Sequence, residues 1–414
     1  MLFTEFFRFY DLNSYFRLLP ILSDMYSGTT VFAQLMMFMP EFEFIKCVDR
    51  YKGDYRVRNL TCREHFLVMS FAQLTGRESL RDIENCLTAF SNKLYHCGLN
   101  KPISKSTLAD ANEKRNWRIY ADFAQVLIKK ARPLYFGDKE FRLDIDNMVY
   151  AFDSTTIDLC LSLYPWAKFH HQKGAVKMHT LLDLRGSIPI FIDITEGSAH
   201  DVNSLDITPV EPGSYYIMDK GYIDFHRLYT LIHQCRAFYV TRAKDNIQYD
   251  VITSSPVDKT TGIISDQLVR LTGYKSSRSY PEAFRLIVYE DFATNVVYTF
   301  MTNDLELPAL TIAELYRERW KIELFFKWIK QHLHIKSFYG TSPNAVYCQI
   351  WIAICTYLLI AIAKKKLNLA ITLYTFAQTL GLTLFEKTPV KELFENNINF
   401  NNQPDGSQLS LWKS

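Results

Sequence analysis

From Thr61 to about residue 132 apolar positions recur every three to four residues, as on an amphipathic helix; after Pro133 they recur every second residue, as on a strand. The helical stretch divides into three. REHFLVMSFAQLTG ends at Gly76, RESLRDIENCLTAF follows, and STLADANEKRNWRIYADFAQVLIKKA is predicted as one long helix capped by Ser106, with PISKS as the turn before it. Such an arrangement either presents Lys105, Lys114, Arg115 and Arg118 to a nucleic acid or simply builds a helical subdomain. Ahead of it, residues 1–60 are aromatic-rich and mixed, with FFRFYDLNSYFRLLP and FAQLMMFMP, and suggest no function.

In the alternating stretch, MVYAFDSTTIDL, VKMHTLLDL, SIPIFIDITEG and SYYIMDKG read as strands separated by the turns RGS and EPGS. IDFHRLYTLIHQC is then a helix and AFYVTRAK a further strand, which together give a mixed sheet with helices. Asp153 and Asp219 are each expected at a strand end, where neighbouring strands can bring two carboxylates together. Residues 245–303 continue as strands and turns: IQYDVIT, QLVRLTGY, FRLIVYED and NVVYTFMTND.

The pattern changes again at Tyr316–Lys330, YRERWKIELFFKWIK, predicted as one unbroken helix because no Gly or Pro interrupts it. With Tyr316 at 0°, Arg319, Glu323 and Lys330 fall at about 300°, 340° and 320°, a polar stripe about 60° wide. Ile322, Phe325, Phe326, Ile329 and Leu333 lie beside it, at roughly 180° to 280°. A carboxylate flanked by a guanidinium, an ammonium and a phenol at a core boundary suits metal ligation next to a polyanion. The alternative is a surface helix laced with i, i+4 ion pairs. Val346–Ala363 is eighteen residues without a charge, followed by three lysines, and reads as a helix buried on most sides or, alternatively, a membrane span. ITLYTFAQTLGLTLFEKTPVKELFE is a last amphipathic pair, and NNINFNNQPDGSQLS an Asn-rich, frayed tail.

Composition changes this picture little. A chain of 414 residues suggests two or three domains, and 48% hydrophobic residues supply a sizeable core. The net charge of +3 gives no argument for nucleic-acid binding, so any basic surface must be local. Eight cysteines without a C-x-x-C pair, and a first apolar run interrupted by Glu5 and Arg8, point to reduced thiols in a cytosolic protein without a structural zinc site. His170 and His171 lie in a basic loop with Lys168, Lys173 and Lys177, a DNA-facing patch rather than a zinc site. His332 and His334, two residues apart, would point in different directions on a helix.

The spacing Tyr316, Arg319, Glu323, Lys330 resembles the YREK box of the bacterial DDE transposases of the insertion-sequence 4 family, matched at all four positions. FDSTTIDL around Asp153 is similar to that family's first acidic motif and YYIMDKGYID around Asp219 to its second, so the likeness covers about residues 145–340. It implies a mixed α/β fold: an RNase H-like catalytic core with a β-strand insertion, preceded and followed by helical regions. The corresponding division is 1–60, a helical DNA-binding region at 61–140, the first part of the core at 141–244, the insertion at 245–305, the catalytic Glu helix at 306–345, and a C-terminal helical region and tail at 346–414.

The resemblance further implies a transposase that binds terminal inverted repeats, cuts at the ends of its element and transfers the 3′-hydroxyls to target DNA, within a paired-end homodimer in the cytoplasm. Asp153, Asp219 and Glu323 would be catalytic and hold two Mg²⁺ ions, or Mn²⁺, with Asp153 bridging both. Tyr316, Arg319, Lys330, Lys220 and Lys177 would contact DNA. Among competing acids Asp201 is the strongest; Asp183 is expected to support a turn or face water, and Asp193 to face outward. In relatives that pass through a DNA hairpin, a Trp of the insertion can stack on a flipped base; here the insertion has none, and Tyr249, Tyr274 or Tyr280 would have to substitute. A catalytically silent DNA-binding descendant and a membrane-associated protein are the alternative readings.

Overall fold

The computed structural model describes residues 28–136, 143, 145–170, 173–332 and 338–395. The expectations for FFRFYDLNSYFRLLP and the Asn-rich tail, for His171 and His334, and for the side chains of Lys168, His170, Lys173 and His332 lie outside the described residues.

The alternating segments form β1 (Val149–Leu159), β2 (Lys168–His170), β3 (Lys173–Asp183), β4 (Ile188–Glu196), β5 (Tyr215–Met218), β6 (Phe238–Arg242), β7 (Tyr249–Ser255), β8 (Ile263–Leu271), β9 (Phe284–Asp291) and β10 (Val296–Thr302). They share one sheet in the order β2–β3–β1–β5–β6–β10–β9–β8–β7, with β4 also on β3. β3 runs antiparallel to both β1 and β4, whereas β1, β5 and β6 are parallel. The order β4–β3–β1–β5–β6 with only β3 reversed is the RNase H-like arrangement that the sequence resemblance implies. A parallel step needs a crossover, and the Phe225–His233 helix, capped by Asp224, provides it between β5 and β6. The strands of 245–305 form an antiparallel meander that joins the core through β10 against β6, so they lengthen the same sheet.

The helices before the sheet are α1 (Val31–Met36), α2 (Glu41–Arg50), α3 (Cys62–Leu74), α4 (Leu80–Ala89), α5 (Lys105–Lys114) and α6 (Arg118–Ala131). Phe225–His233 is α7, and α8 (Ser276–Ser279), α9 (Ala309–Glu318), α10 (Trp320–His332), α11 (Pro343–Lys366), α12 (Leu373–Thr383) and α13 (Val390–Glu395) follow. Thr61 and Glu64 close a capping box on α3. The long third helix expected from Ser106 is two helices, and its cap is Ser104. Asn344 Nδ2 donates to the carbonyls of Asn112, Glu113 and Arg115, and the Arg115 guanidinium donates to the Gly53 and Leu60 carbonyls. Asn344 takes carbonyls that would have continued the helix, and the Arg115 side chain ties the break to the Gly53–Leu60 segment, so tertiary contacts override local propensity.

The uncharged run lies in α11, which packs against α3, α5 and α6, and its most apolar eighteen-residue window is 94% buried. Two of its polar side chains find partners: Thr356 bonds Ser70, and Gln349 Oε1 accepts the Tyr339 amide. The apolar surface of this helix therefore faces the protein's own core, the buried-helix reading of the two the sequence allowed.

Candidate active site

β1 carries Val149 and Ala151 towards one core cluster and Tyr150 and Phe152 towards the other, as alternation requires. Asp153 belongs to the Val149 face. It was expected to end its strand, but β1 runs on to Leu159 because β3 pairs with it throughout, Asp153 opposite Thr180. Only the pairing with β5 stops at Phe152, opposite Met218, and Asp219 follows β5 at once. The two aspartates thus flank the point where parallel pairing ends, the place where open α/β sheets expose their functional groups.

The third acid arrives on a broken helix. α9 ends at Glu318 and α10 begins at Trp320; at Arg319 the backbone tightens, its amide bonding Tyr316 O and its carbonyl accepting from Ile322 N. The unbroken Tyr316–Lys330 helix is thus corrected: the break falls between Tyr316, anchored to Asp219 by its hydroxyl at 3.1 Å, and the residues anchored over β1. Arg319 Nη1 donates to Asp153 Oδ2 at 2.9 Å and to Glu323 Oε1 at 3.3 Å. Lys330, three turns along, donates to Thr156 O at 2.6 Å.

Asp219 Oδ1 also takes Arg242 Nη2 at 3.1 Å. Sequence reasoning missed Arg242, although it ends β6, the next parallel strand, and that position was a usable sign. Burial pushes the Asp153 carboxyl up to about 7; the Arg319 guanidinium and the Ser154 amide oppose this, while Glu323 and Asp219 add to it. Burial also raises Asp219, but Arg242, the Lys220 amide, Arg319 and the Tyr316 hydroxyl outweigh it and hold that carboxyl below its ordinary value. Burial lifts the Tyr316 phenol to about 12, so it is a donor at neutral pH.

The competing acids lie elsewhere. Asp201 accepts from Ser154 Oγ at 2.7 Å and pairs with Lys177 at 3.2 Å, and since Ser154 alternates with Asp153 this cluster is on the opposite face of β1. Lys177 also donates to Ala199 O at 2.8 Å. Asp183 supports its turn, one of the two roles expected of it, by accepting the Arg185 amide; it is buried rather than facing water and pairs with Arg132. Lys220 is half exposed, with Asp245 at 4.0 Å, and borders a depression of about 440 Å³ with Gly221, Lys244 and Asn246. Of the three tyrosines, Tyr280 is buried against Phe225, Tyr229 and Phe284, Tyr249 is partly exposed, and Tyr274 is 72% exposed beside Arg278.

Among the described residues no three His, Cys, Asp or Glu side chains approach closely enough to share an ion as they stand. The Arg319 guanidinium is bonded to both Asp153 and Glu323 instead. The donor chemistry nevertheless suits a hard divalent cation: Asp153, Asp219 and Glu323 offer only carboxylate oxygens, which Mg²⁺ prefers.

The Transposase DDE domain family matches residues 145–359, just over half of the chain, and a domain of unknown function, DUF4372, matches residues 27–100. The chain is 34% identical to a Sinorhizobium fredii protein named as a transposase, y4zB, over 68% of this chain and 78% of that one. It is 29% identical to a protein named as the transposase of insertion sequence element IS5377 of Geobacillus stearothermophilus, over 55% and 60%, and 27% identical to one named for element IS4SA of Synechocystis, over 62% and 70%. A cryo-EM structure of the piggyBac transposase synaptic complex with hairpin DNA aligns at a TM-score of 0.45 and 10% identity, over 90% of this chain and 85% of that one. With the family match over the sheet and both acidic strands, and the box on α9 and α10, the chain belongs to the DDE transposases, of the bacterial insertion-sequence-4-like kind.

Proposed function

We propose that this transposase binds the terminal inverted repeats of its own element, cuts at the element's ends and joins the 3′-hydroxyls to target DNA, with Asp153, Asp219 and Glu323 as its catalytic carboxylates. The observation that carries the reading is the gathering of three acids, far apart in sequence, beside one face of the sheet with Arg319 bonded to two of them and Arg242 to the third. Cleavage and strand transfer are in-line displacements at phosphorus, which require alignment of nucleophile and leaving oxygen and relief of spread negative charge. Asp153, Asp219 and Glu323 would hold two Mg²⁺ ions, replaceable by Mn²⁺, which would supply activation of the attacking oxygen and neutralisation of the departing one.

The remaining work falls to the chain. Arg319 supplies a guanidinium at the reacting phosphate, and Lys220 and Lys330 contact the phosphates on either side. Tyr316 serves Asp219 by holding one of its oxygens, in place of the phosphate contact expected from its position in the box. Lys177, bound to Asp201 on the far face, has no part in this reading. Residues 61–140 bind the repeats and 245–305 position the element's end; Tyr274 is exposed enough to stack on a flipped base. The reaction proceeds in a paired-end homodimer on DNA in the bacterial cytoplasm.

The test is a labelled duplex bearing the element's terminal repeat, incubated with the full chain in Mg²⁺ or EDTA beside Glu323→Ala. Cleavage at the element boundary that needs both Mg²⁺ and Glu323 is expected. Binding without cleavage in every condition, Mn²⁺ and paired ends included, would instead mark a catalytically silent DNA-binding protein.

A further inference from the structure

Arg319 is bonded in an unusual way. A guanidinium has five donors in a planar fork and pairs best with one carboxylate through two parallel bonds. Here a single nitrogen, Nη1, serves both Asp153 and Glu323, while Nε is buried without an acceptor. The side chain is 13% exposed, so this arrangement is desolvated as well as incomplete. Arg242 repeats the pattern at Asp219, with Nη2 bonded and Nε buried and unmatched. The three carboxylates are therefore divided between two guanidinium groups. Were Arg319 withdrawn, the buried Asp153 and the partly exposed Glu323 would be left as an uncompensated like-charged pair, which favours another cation.

We infer that Arg319 is a displaceable counter-ion: it holds Asp153 and Glu323 in the metal-free protein, yields its place to a divalent cation, and the released guanidinium then meets a DNA phosphate. The inference rests on the proposal that Asp153, Asp219 and Glu323 are metal ligands. Its position favours such a movement, since Arg319 sits at the break between α9 and α10. It makes metal and DNA reciprocal partners: a phosphate that draws Arg319 away removes the cation's competitor, and a cation that displaces Arg319 frees a phosphate ligand.

The experiment measures Mn²⁺ binding to the full chain by electron paramagnetic resonance of free Mn²⁺, with and without a non-specific duplex. Wild type is compared with Arg319→Gln, Arg319→Lys and Glu323→Gln, each checked for folding by circular dichroism. Without DNA, Arg319→Gln should bind Mn²⁺ about tenfold more tightly, the scale of one lost charge-assisted hydrogen bond. Arg319→Lys, which keeps the charge but not the bridge, should gain less. Duplex should tighten Mn²⁺ binding to wild type and leave Arg319→Gln unchanged. Equal or weaker binding by both arginine variants, with Glu323→Gln losing binding, overturns the counter-ion role and leaves the metal-ligand proposal standing. Mn²⁺ binding indifferent to Glu323→Gln overturns both.

Discussion

Asp153 and Ser154 are neighbours on β1, and the two faces they serve each join a carboxylate to a cation. On one face Arg319 meets Asp153 at 2.9 Å; on the other Lys177 meets Asp201 at 3.2 Å, with Ser154 Oγ completing the pair. Coulomb attraction differs little between them. Desolvation does differ: Asp153 is 15% exposed and Asp201 41%. Burial lifts the Asp153 carboxyl to about 7 despite the guanidinium, whereas Asp201 keeps water and a hydroxyl donor. An acid left under-compensated at a sheet's functional edge is a stronger mark of chemistry than an ion pair as such.

The largest test of that contrast is catalytic. Glu323→Gln and Asp153→Asn should each lower boundary cleavage at least ~10³-fold, the scale of lost transition-state charge stabilisation. Asp201→Asn should cost less than ~10-fold, because its partners hold β3 and the 199–201 loop rather than a reacting group. Rates per bound complex, taken under single-turnover conditions, separate the two classes; an Asp201 variant as inactive as Asp153→Asn would erase the distinction between the faces.

Stability offers the next. A folded-state carboxyl at about 7, against an ordinary 3.8, means that the unfolded chain releases its proton first as pH rises. The folded state therefore loses stability between about pH 4 and pH 7, and the full penalty, up to ~4 kcal/mol, stands above pH 7. Asp153→Asn should accordingly raise the Tm of the metal-free protein at pH 8 and leave it nearly unchanged near pH 4. Asp201→Asn, which gives up a half-exposed ion pair with Lys177, should lower the Tm slightly at pH 8. Thermal melts in EDTA across this pH range decide the sign, and an Asp153→Asn variant less stable than wild type at pH 8 would falsify the account of Asp153 as under-compensated.

Much of this was legible in the chain itself. Alternation located the strand that carries Asp153 and the one that Asp219 follows, and the polar stripe put Arg319 beside Glu323, because both patterns depend on local geometry alone. The break at Arg319 was not legible: no Gly or Pro marks it, and it falls where side chains are anchored to two different strands. The same holds for the division at Arg115, which depends on Asn344 more than two hundred residues away. Arg242 escaped notice since its role comes from the adjacency of β5 and β6, a fact of topology. The meander was read correctly as strands, but its continuity with the core sheet rests on the β6–β10 pairing, which periodicity does not encode.

The smallest expected effect concerns Tyr316, whose phenol lies between the two roles a box residue can have. Its hydroxyl donates to Asp219 Oδ1 at 3.1 Å, and Arg242 reaches the same oxygen at the same distance. Its ring meanwhile rests on Phe300 with centroids 4.9 Å apart. Tyr316→Phe keeps the ring and removes only the donor. A hydrogen bond to a charged group is worth ~1.5–3 kcal/mol, but the retained guanidinium covers part of the loss, leaving ~1 kcal/mol and about a fivefold slower cleavage step. DNA affinity should not change, since in this reading the phenol serves the carboxylate. Filter binding and single-turnover cleavage with the same duplex separate the outcomes: weaker binding with an unchanged cleavage rate would place the hydroxyl on a phosphate, and Arg242 alone would then hold Asp219 while DNA is bound.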